Sequence, residues 1–388
     1  MAMRKFRGDS LFDGYRFHAD MVLVVDADGR VEGLVPLADA GDDVLYQEGI
    51  ISPGFINCHC HLELSHMKGL IPEGTGLVPF VSQVMAGRFR PDEEIHEAIA
   101  AAERAMYDNG IQAVGDICNT AYTIPAKQRS RIRWYNFIEV SGFDPAMADI
   151  RYRAAEELWE KFGTAAESGQ AVLRSIVPHS PYSVSVELWK KIVEGAAGKR
   201  LSIHNQEDPA ENLFFHGKQG AFMELYDRMK LDLSFFNAPG TSSIRAYLGR
   251  FPAGQPLLLV HNVFTSAEDL EWIGGLQDSP DLYWCLCPQA NRYISTALPD
   301  IPMLMGEGRR ITLGTDSLAS NHRLDLLYEI ALIREFYPAI EKADLLTWAT
   351  SNGALALGME ASLGSFEPGK QPGVLLLAND LSKASRLL

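Results

Sequence analysis

Two histidines separated by one residue follow an apolar segment, in Asn57-Cys58-His59-Cys60-His61. Successive side chains of an extended strand point to opposite faces, so His59 and His61 share one face and lie about 7 Å apart along the strand. Two imidazoles on one face can bind a single metal ion, and the same pattern also fits two strand-end histidines without a metal. A Cys₂His₂ zinc site is disfavoured because Cys58 and Cys60 point away from the histidines and no Cys-x-x-Cys pair occurs elsewhere.

Three further candidate residues each follow an apolar, strand-like segment. They are His204 in Ile203-His204-Asn205-Gln206-Glu207, His261 after Leu259-Val260, and Asp316 in Gly314-Thr315-Asp316-Ser317. Each has an ordinary structural explanation, such as a histidine bonded to backbone or an aspartate that caps a helix. Together, imidazoles and a carboxylate suit Zn²⁺, and also Fe²⁺ or Mn²⁺. A metal ion with one open coordination position lowers the pKa of a bound water towards 7, and this chemistry predicts a hydrolytic site.

The segments before these residues belong to a regular alternation of strands and helices. Apolar, strand-like runs cover residues 49–57, 111–117, 134–140, 172–177, 201–203, 256–260, 282–286 and 311–313. Amphipathic helical stretches lie between them, as at residues 93–109, 151–161 and 186–196. Eight strands that are apolar on both faces and alternate with helices predict an α/β fold, a parallel (β/α)₈ TIM barrel. Reactive residues of such a barrel lie at the C-terminal ends of its strands.

Both ends of the chain are rich in short strands and turns. Residues 21–25 and 31–35 are apolar runs separated by a turn at 26–29, and a turn at 364–369 precedes an apolar run at 374–377. We expect the two ends to form one small β-sandwich-like satellite domain. The predicted division is residues 1–52 and 358–388 for this β domain and residues 53–357 for the barrel.

Composition narrows the classes of partner. The chain has 388 residues, is 47% hydrophobic and carries a formal net charge of −15, which argues against a nucleic-acid backbone or an anionic membrane as the main partner. The five cysteines imply no disulfide framework, no signal peptide is visible, and the longest apolar runs are too short to span a bilayer. We therefore expect a cytoplasmic protein that acts on a small molecule.

The strand-end motifs resemble those of the amidohydrolase superfamily, in the branch that holds the cytosine, guanine and S-adenosylhomocysteine deaminases and the triazine chlorohydrolases. The opening signature is Ser52-Pro53-Gly54-Phe55-Ile56-Asn57-Cys58-His59-Cys60-His61. The resemblance continues through residues 177–182, 204–207, 287–291, 313–317, 350–354 and 364–370, and so covers nearly the whole chain. Two departures stand out: Lys68-Gly69 replaces the usual Arg-Gly, and Pro372-Gly373 replaces the usual Ala-Asp.

This resemblance implies a role for each candidate. One divalent metal ion, most simply Zn²⁺, would be bound by His59, His61, His204 and Asp316. Glu207 would shuttle the proton, while His261, with Asp316, would orient and polarise the attacking water. The fourth strand runs into Pro178-His179 without the bridging lysine of two-metal relatives, which favours the one-metal branch. The residues predicted to contact the substrate are His179, Asn291, Arg292 and Ser317.

Residues 63–69 and 72–77 resemble the adenosyl-type deaminases, which include aminodeoxyfutalosine deaminase. The predicted function is therefore hydrolytic removal of an amino group from an adenine-type nucleoside derivative, with release of ammonia. A substrate with a remote carboxylate would need an arginine at the mouth of the site, for which Arg292 and Arg323 are candidates, although both also fit solvated surface residues. His66 and His322 are either site residues or ordinary loop residues.

Other readings remain open at this stage. A chlorohydrolase or a cyclic-amide hydrolase could use the same scaffold, because an activated water does not dictate the leaving group. A barrel without catalytic activity would belong to a different class, but such a protein should have lost some of the expected ligands. By analogy with its relatives, the protein could form a homodimer.

Metal analysis tests the prediction that the protein has a metal-dependent hydrolytic site. We expect protein expressed with added Zn²⁺, Fe²⁺ or Mn²⁺ to retain about one divalent ion per chain after purification, because the resemblance implies a single buried site. Elemental analysis by mass spectrometry measures this directly. A metal content near zero would favour the non-catalytic barrel.

Overall fold

The computed structural model describes residues 3–164 and 172–388. Strands and helices are numbered in chain order. The N-terminal strands are β1 (Arg4–Arg7), β2 (Ser10–Phe12), β3 (Phe17–His18), β4 (Met21–Val25), β5 (Val31–Pro36), β6 (Val44–Tyr46) and β7 (Ile50–Pro53). The central strands are β8 (Phe55–Cys60), β9 (Ile111–Cys118), β10 (Arg133–Val140), β11 (Leu173–Pro178), β12 (Leu201–Asn205), β13 (Pro256–His261), β14 (Asp281–Leu286) and β15 (Arg310–Leu313). The last strands are β16 (Val374–Leu377) and β17 (Ala384–Arg386).

The α-helices connect the central strands and flank them. They are α1 (Leu77–Gly87), α2 (Asp92–Asp108), α3 (Ile124–Arg129), α4 (Ala148–Thr164), α5 (Val186–Gly195), α6 (Pro209–Gly217), α7 (Ala221–Arg228), α8 (Ser243–Tyr247), α9 (Ala267–Gly274), α10 (Pro288–Ser295), α11 (Ile301–Gly306), α12 (Leu326–Phe336), α13 (Lys342–Ala349) and α14 (Ser351–Leu357). None of the helices in the described parts of the chain is long and apolar enough to cross a membrane.

The central strands form two parallel four-stranded sheets. One has the order β11-β10-β9-β8 and the other β12-β13-β14-β15. Backbone hydrogen bonds join the sheets at both pairs of edges. His204 N donates to His179 O at 3.0 Å on one side, and Thr315 N donates to His59 O at 2.9 Å on the other. The predicted parallel α/β architecture is therefore present, and all eight strands end on the side where the candidate residues lie.

One predicted strand is wrong. Residues 49–57 do not form a single element, because Gly54 separates β7, which belongs to a sheet of the chain ends, from β8 of the central sheets. Gly54 N donates to Pro372 O at 3.0 Å, and a Cβ on Gly54 would lie only 2.6 Å from that oxygen. The other predicted runs overlap observed strands, and the predicted helices 93–109, 151–161 and 186–196 correspond to α2, α4 and α5.

The chain ends form two mixed sheets, with the orders β5-β4-β1-β6 and β17-β16-β7-β2-β3. The second sheet contains strands from both ends of the chain. Phe6 and Leu23 of the first sheet share one apolar cluster with Leu11, Ile51 and Val374 of the second. The sandwich-like arrangement and the domain boundaries at 52/53 and 357/358 stay predictions.

A separate apolar cluster lies among segments that follow the C-terminal ends of the central strands. We call it the cap cluster. Its buried aromatic members are Phe80, Phe143, Tyr182, Phe214, Phe215, Phe222 and Tyr226. Because these segments leave the same end of the strands as His59, His204 and Asp316, the cap cluster lies on the side of the fold that carries the candidate site.

Gly54 offers a test of how the two parts of the fold meet. Gly54→Ala should lower the free energy of unfolding by about 1–3 kcal/mol, because the new methyl group meets the Pro372 carbonyl in a packed region. Chemical denaturation at equal metal content measures the change. Gly33→Ala is the matched control: nothing lies within 4 Å of its added Cβ, so stability should be unchanged or rise by up to about 1 kcal/mol. Equal stability of both variants would contradict the close contact.

Candidate metal centre

Four predicted side chains converge at the ends of the central strands. The nitrogen and oxygen atoms that His59, His61, His204 and Asp316 could offer to an ion all lie within 4.8 Å of one another. His61 Nε2 is 3.2 Å from His204 Nε2, and Asp316 Oδ1 is 3.4 Å from His61 Nε2. None of the four side chains is more than 10% exposed. We call these residues the donor cluster.

The donor cluster is in the protonation state that a cation needs. Burial lowers the pKa of His61 to about 3 and also lowers the pKa values of His59 and His204, so all three rings are neutral. Burial tends to raise the pKa of Asp316, but the His59 ring, whose Nε2 is 3.6 Å from Oδ1, and the nearby rings of His61 and His261 hold it well below its usual value. Three neutral imidazoles therefore face an ionised carboxylate.

His59 supplies the clearest sign that a ligand belongs here. Its side chain is fully buried, and neither ring nitrogen has a hydrogen-bond partner in the protein. Burial of unpaired polar atoms costs free energy, and native proteins rarely leave them unpaired. A divalent cation would give Nε2 of this ring a partner, and the set of three nitrogens and one oxygen fits Zn²⁺, Fe²⁺ or Mn²⁺.

The seam between β8 and β15 positions two of these residues. Thr315 N and Asp316 N donate to His59 O at 2.9 and 3.1 Å. The Asn57 side chain spans the same seam, since its Nδ2 donates to Thr315 Oγ1 at 2.8 Å and its Oδ1 accepts from Thr315 N at 3.1 Å. The first and last central strands are thus tied together where the chain presents His59 and Asp316.

Left-handed backbone recurs around the site. Gln206, His261, Asn262 and Asp316 have φ values of 46°, 78°, 61° and 56°. Such conformations cost free energy in residues other than glycine and persist only where the surroundings enforce them. They turn the chain sharply as it leaves β12 and β13 and after β15, and so aim these side chains across the strand ends.

Other groups fix which atom of each donor faces the cluster. His204 Nδ1 donates to His179 O at 2.8 Å, which leaves Nε2 for the cluster. Ser320 Oγ donates to Asp316 Oδ2 at 2.6 Å, which leaves Oδ1 free. Glu139 Oε1 lies 3.5 Å from His204 Nδ1 and is itself buried without a hydrogen-bond partner. Polar partners of this kind orient metal ligands and raise their basicity.

Glu207 and His261 form a pair beside the donor cluster. Glu207 Oε1 is 3.6 Å from His261 Nε2, and both side chains are buried. Burial raises the pKa of Glu207 well above its usual value, and the nearby Asp316 carboxylate adds to this shift. The loop that carries Glu207 is held by Gln206, whose N donates to Glu211 Oε1 at 3.1 Å. A carboxyl group that gains a proton this readily is suited to proton transfer.

Three of the residues predicted to contact substrate lie close to these groups. The His179 ring is 4.8 Å from the His204 ring, and its Nδ1 is 2.9 Å from the hydroxyls of both Ser180 and Ser183. Asn291 is fully buried against His261. Ser317 Oγ is 3.0 Å from Ser320 Oγ, in the hydroxyl pair that supports Asp316.

Arg292 is placed differently. Its side chain is half exposed, lies 3.8 Å from Glu335 and stacks over the ring of Phe336, so both contacts are with α12 and not with the donor cluster. Arg323 similarly lies over Tyr328. These contacts are consistent with the alternative interpretation of both arginines as surface residues.

The two remaining candidate histidines make contacts with residues outside the donor cluster. His322 Nε2 is 3.1 Å from Glu73 Oε1, and the centroid of its ring is 5.6 Å from that of the Tyr293 ring. His66 Nε2 hydrogen-bonds the Arg88 carbonyl at 3.0 Å. Both therefore fit the reading as loop residues.

Sequence reasoning missed Glu139, Tyr182 and Ser320. Glu139 could have been identified from the sequence, because it is a lone acidic residue near the end of the apolar run 134–140. Tyr182 belongs to the motif at residues 177–182, but the sequence assigns it no role. Its ring stacks on Phe222 at 4.0 Å and meets the His179 ring edge-on at 5.9 Å. Ser320 has no signal, since a serine four residues after an aspartate is common.

Glu139 can be tested through metal affinity. Glu139→Gln should weaken binding of the divalent ion by about 10–100-fold, because His204 loses the negative charge beside its Nδ1. Competition with a chelator measures the affinity. Glu156→Gln, at an exposed position on α4, is the control and should leave it unchanged. Equal affinity in the two variants would contradict the role given to Glu139.

The amidohydrolase family profile matches residues 50–386. The chain is 26% identical over 366 residues to an aminodeoxyfutalosine deaminase of Nitratiruptor sp., covering 91% of this chain and 85% of the relative. It is 26% identical over 398 residues to a 5-methylthioadenosine/S-adenosylhomocysteine deaminase of Teredinibacter turnerae, covering 94% and 81%.

A solved structure gives the same picture of the fold. The aminofutalosine deaminase of Helicobacter pylori, in complex with methylthio-coformycin, superposes with a TM-score of 0.78 at 23% identity, covering 97% of this chain and 92% of the other. The profile match spans all eight central strands and the whole donor cluster, and it confirms the resemblance seen in the sequence motifs. The chain belongs to the amidohydrolase family.

Proposed function

We propose that the protein is a metal-dependent hydrolase that deaminates the ring of adenine-type nucleosides, with aminodeoxyfutalosine and S-adenosylhomocysteine-like nucleosides as the candidate substrates. The observation that carries the proposal is the convergence of His59, His61, His204 and Asp316 beside the Glu207–His261 pair. Family membership and the names of the two deaminase relatives support the type of reaction.

The donor cluster would hold the ion. We propose Zn²⁺, which is commonly bound by histidine nitrogens and carboxylate oxygens, with Fe²⁺ and Mn²⁺ as alternatives that suit the same atoms. When bound, such an ion supplies a water molecule of lowered pKa that is nucleophilic near neutral pH. Ser320 and the His179 carbonyl would keep Asp316 Oδ1 and His204 Nε2 directed at it.

Glu207 would move the proton. Deamination adds the oxygen of water to the ring carbon that bears the amine, breaks the carbon–nitrogen bond and releases ammonia. Glu207 would take one proton of the attacking water and pass it to a ring nitrogen, so the ring carbon becomes a better electrophile. The second proton would pass from the new hydroxyl group to the amino group, which leaves as ammonia. Its buried position and raised pKa suit a group that must accept a proton and then give it up.

The neighbouring rings suit a flat heterocycle. His179 and Tyr182 lie edge to face beside His204, and Tyr182 continues into the aromatic cap cluster through Phe222. Aromatic and imidazole side chains provide both stacking surface and hydrogen bonds for a nucleobase. We propose that His179 hydrogen-bonds the base and that Ser317 lies at its edge.

Turnover tests this assignment. Glu207→Gln should retain its metal and its melting temperature but lose at least about 10²–10⁴-fold in kcat, because the amide cannot carry the proton. Ammonia release across a panel of purines, pyrimidines and their nucleosides, measured at known metal content, identifies the reaction. Glu224→Gln on the exposed face of α7 serves as the control.

The same panel separates the rival reactions. The protein could release chloride from a chlorinated ring, or open a cyclic amide, and release no ammonia from any nucleoside. That result would show that it catalyses the alternative hydrolysis and not deamination. A Glu207→Gln variant that keeps more than about a tenth of the activity would contradict the proton-transfer role.

A further inference from the structure

Asn291 lies against the far side of His261 from Glu207. It belongs to α10, which begins directly after β14, and its side chain is fully buried. Its Nδ2 is 2.9 Å from His261 Nδ1, while its Oδ1 is buried without a partner. On the other edge of the ring, His261 Nε2 has no hydrogen-bond partner and lies 3.6 Å from Glu207 Oε1.

The Asn291 amide has two possible orientations, which differ by the exchange of Oδ1 and Nδ2. The observed orientation costs less free energy. In the observed orientation the group left unpaired is one carbonyl oxygen. In the flipped orientation Oδ1 would face His261 and the amide N–H groups would take the place of this oxygen. Buried N–H groups without partners are rarer in native proteins than buried carbonyl oxygens without partners. The amide therefore donates to His261 Nδ1.

A donor at Nδ1 fixes the state of the ring. A neutral imidazole carries one proton, and the nitrogen that accepts a hydrogen bond is the one without it. Because Nδ1 accepts from Asn291, the proton lies on Nε2.

We propose that Asn291 is a positioning residue that locks His261 in the Nε2–H tautomer, in place of the direct substrate contact that the sequence predicts. His261 is then a fixed hydrogen-bond donor to the attacking oxygen and to the negative charge that develops on it. It has no lone pair to accept a proton on that side, so the proton of the water goes to Glu207. This inference rests on the proposed function for its catalytic consequence, but the tautomer itself does not depend on substrate.

Asn291→Asp reverses the hydrogen bond at almost constant shape. A carboxylate accepts a hydrogen bond from Nδ1–H, so the lone pair of His261 lies on Nε2. We expect kcat to fall by about 10²–10⁴-fold, the range for loss of a donor aimed at developing charge or of a correctly protonated ring. Metal content and KM should stay close to those of the unmodified protein when both are measured at a temperature at which both are folded. Asn237→Asp, at an exposed position, is the control for the added charge.

A spectroscopic readout tests the tautomer without turnover. Zn²⁺-loaded protein labelled with ¹⁵N in its histidine rings should show His261 protonated at Nε2, and Asn291→Asp should show it protonated at Nδ1. The His261 signals are assigned by their loss in His261→Asn. This measurement on the unmodified protein still decides the question if Asn291→Asp fails to fold.

Two results would overturn the proposal. One is an Nδ1-protonated His261 in the unmodified protein, and the other is an Asn291→Asp variant whose kcat stays within about threefold of the parent at full metal content. Failure of the proposed function has a different signature, since the unmodified protein would then release no ammonia from any nucleoside while the ring spectrum still reports the tautomer.

Discussion

Three imidazoles and one carboxylate are buried together at the ends of the central strands, and the fully buried ring of His59 has no hydrogen-bond partner in the protein. Removing such groups from water costs free energy that ordinary packing does not recover. A divalent cation would offset part of this cost, because it would bond His59 Nε2 and balance the ionised Asp316. The rest of the architecture follows from the need to hold four atoms from distant parts of the chain around one point.

The groups behind this centre are as specific as the centre itself. His204 is directed by the His179 carbonyl and Glu139, Asp316 by Ser320, and His261 by Asn291. The partners of His204 and His261 come from the ends of other strands or from the segments after them, so their geometry depends on the spacing of the strands, whereas Ser320 belongs to the same segment as Asp316. Rigid supporting shells of this kind keep functional groups in productive positions. The left-handed residues Gln206, His261 and Asp316 show that the backbone accepts strain to reach them.

The seam between the first and last central strands is closely packed. A Cβ on Gly314 would lie 2.7 Å from His59 Cβ and 2.9 Å from Cys287 Sγ, so this position requires glycine. Close approach of the two strands lets the His59 carbonyl accept from both Thr315 N and Asp316 N. The same hydrogen bonds that join β8 to β15 therefore also position His59 and Asp316 of the donor cluster.

The sequence by itself determined the alternation of strands and helices. It also identified His59, His61, His204, His261 and Asp316 as candidate site residues, because each is a polar side chain at the end of an apolar run. Only the tertiary structure decided which atoms meet. The break at Gly54 depends on Pro372 from the other end of the chain, and the turn of Arg292 towards α12 and of Asn291 towards His261 depends on how α10 packs. Local periodicity records which face of an element is buried, but a hydrogen bond between distant residues leaves no periodic trace, because its partner is set by packing in three dimensions.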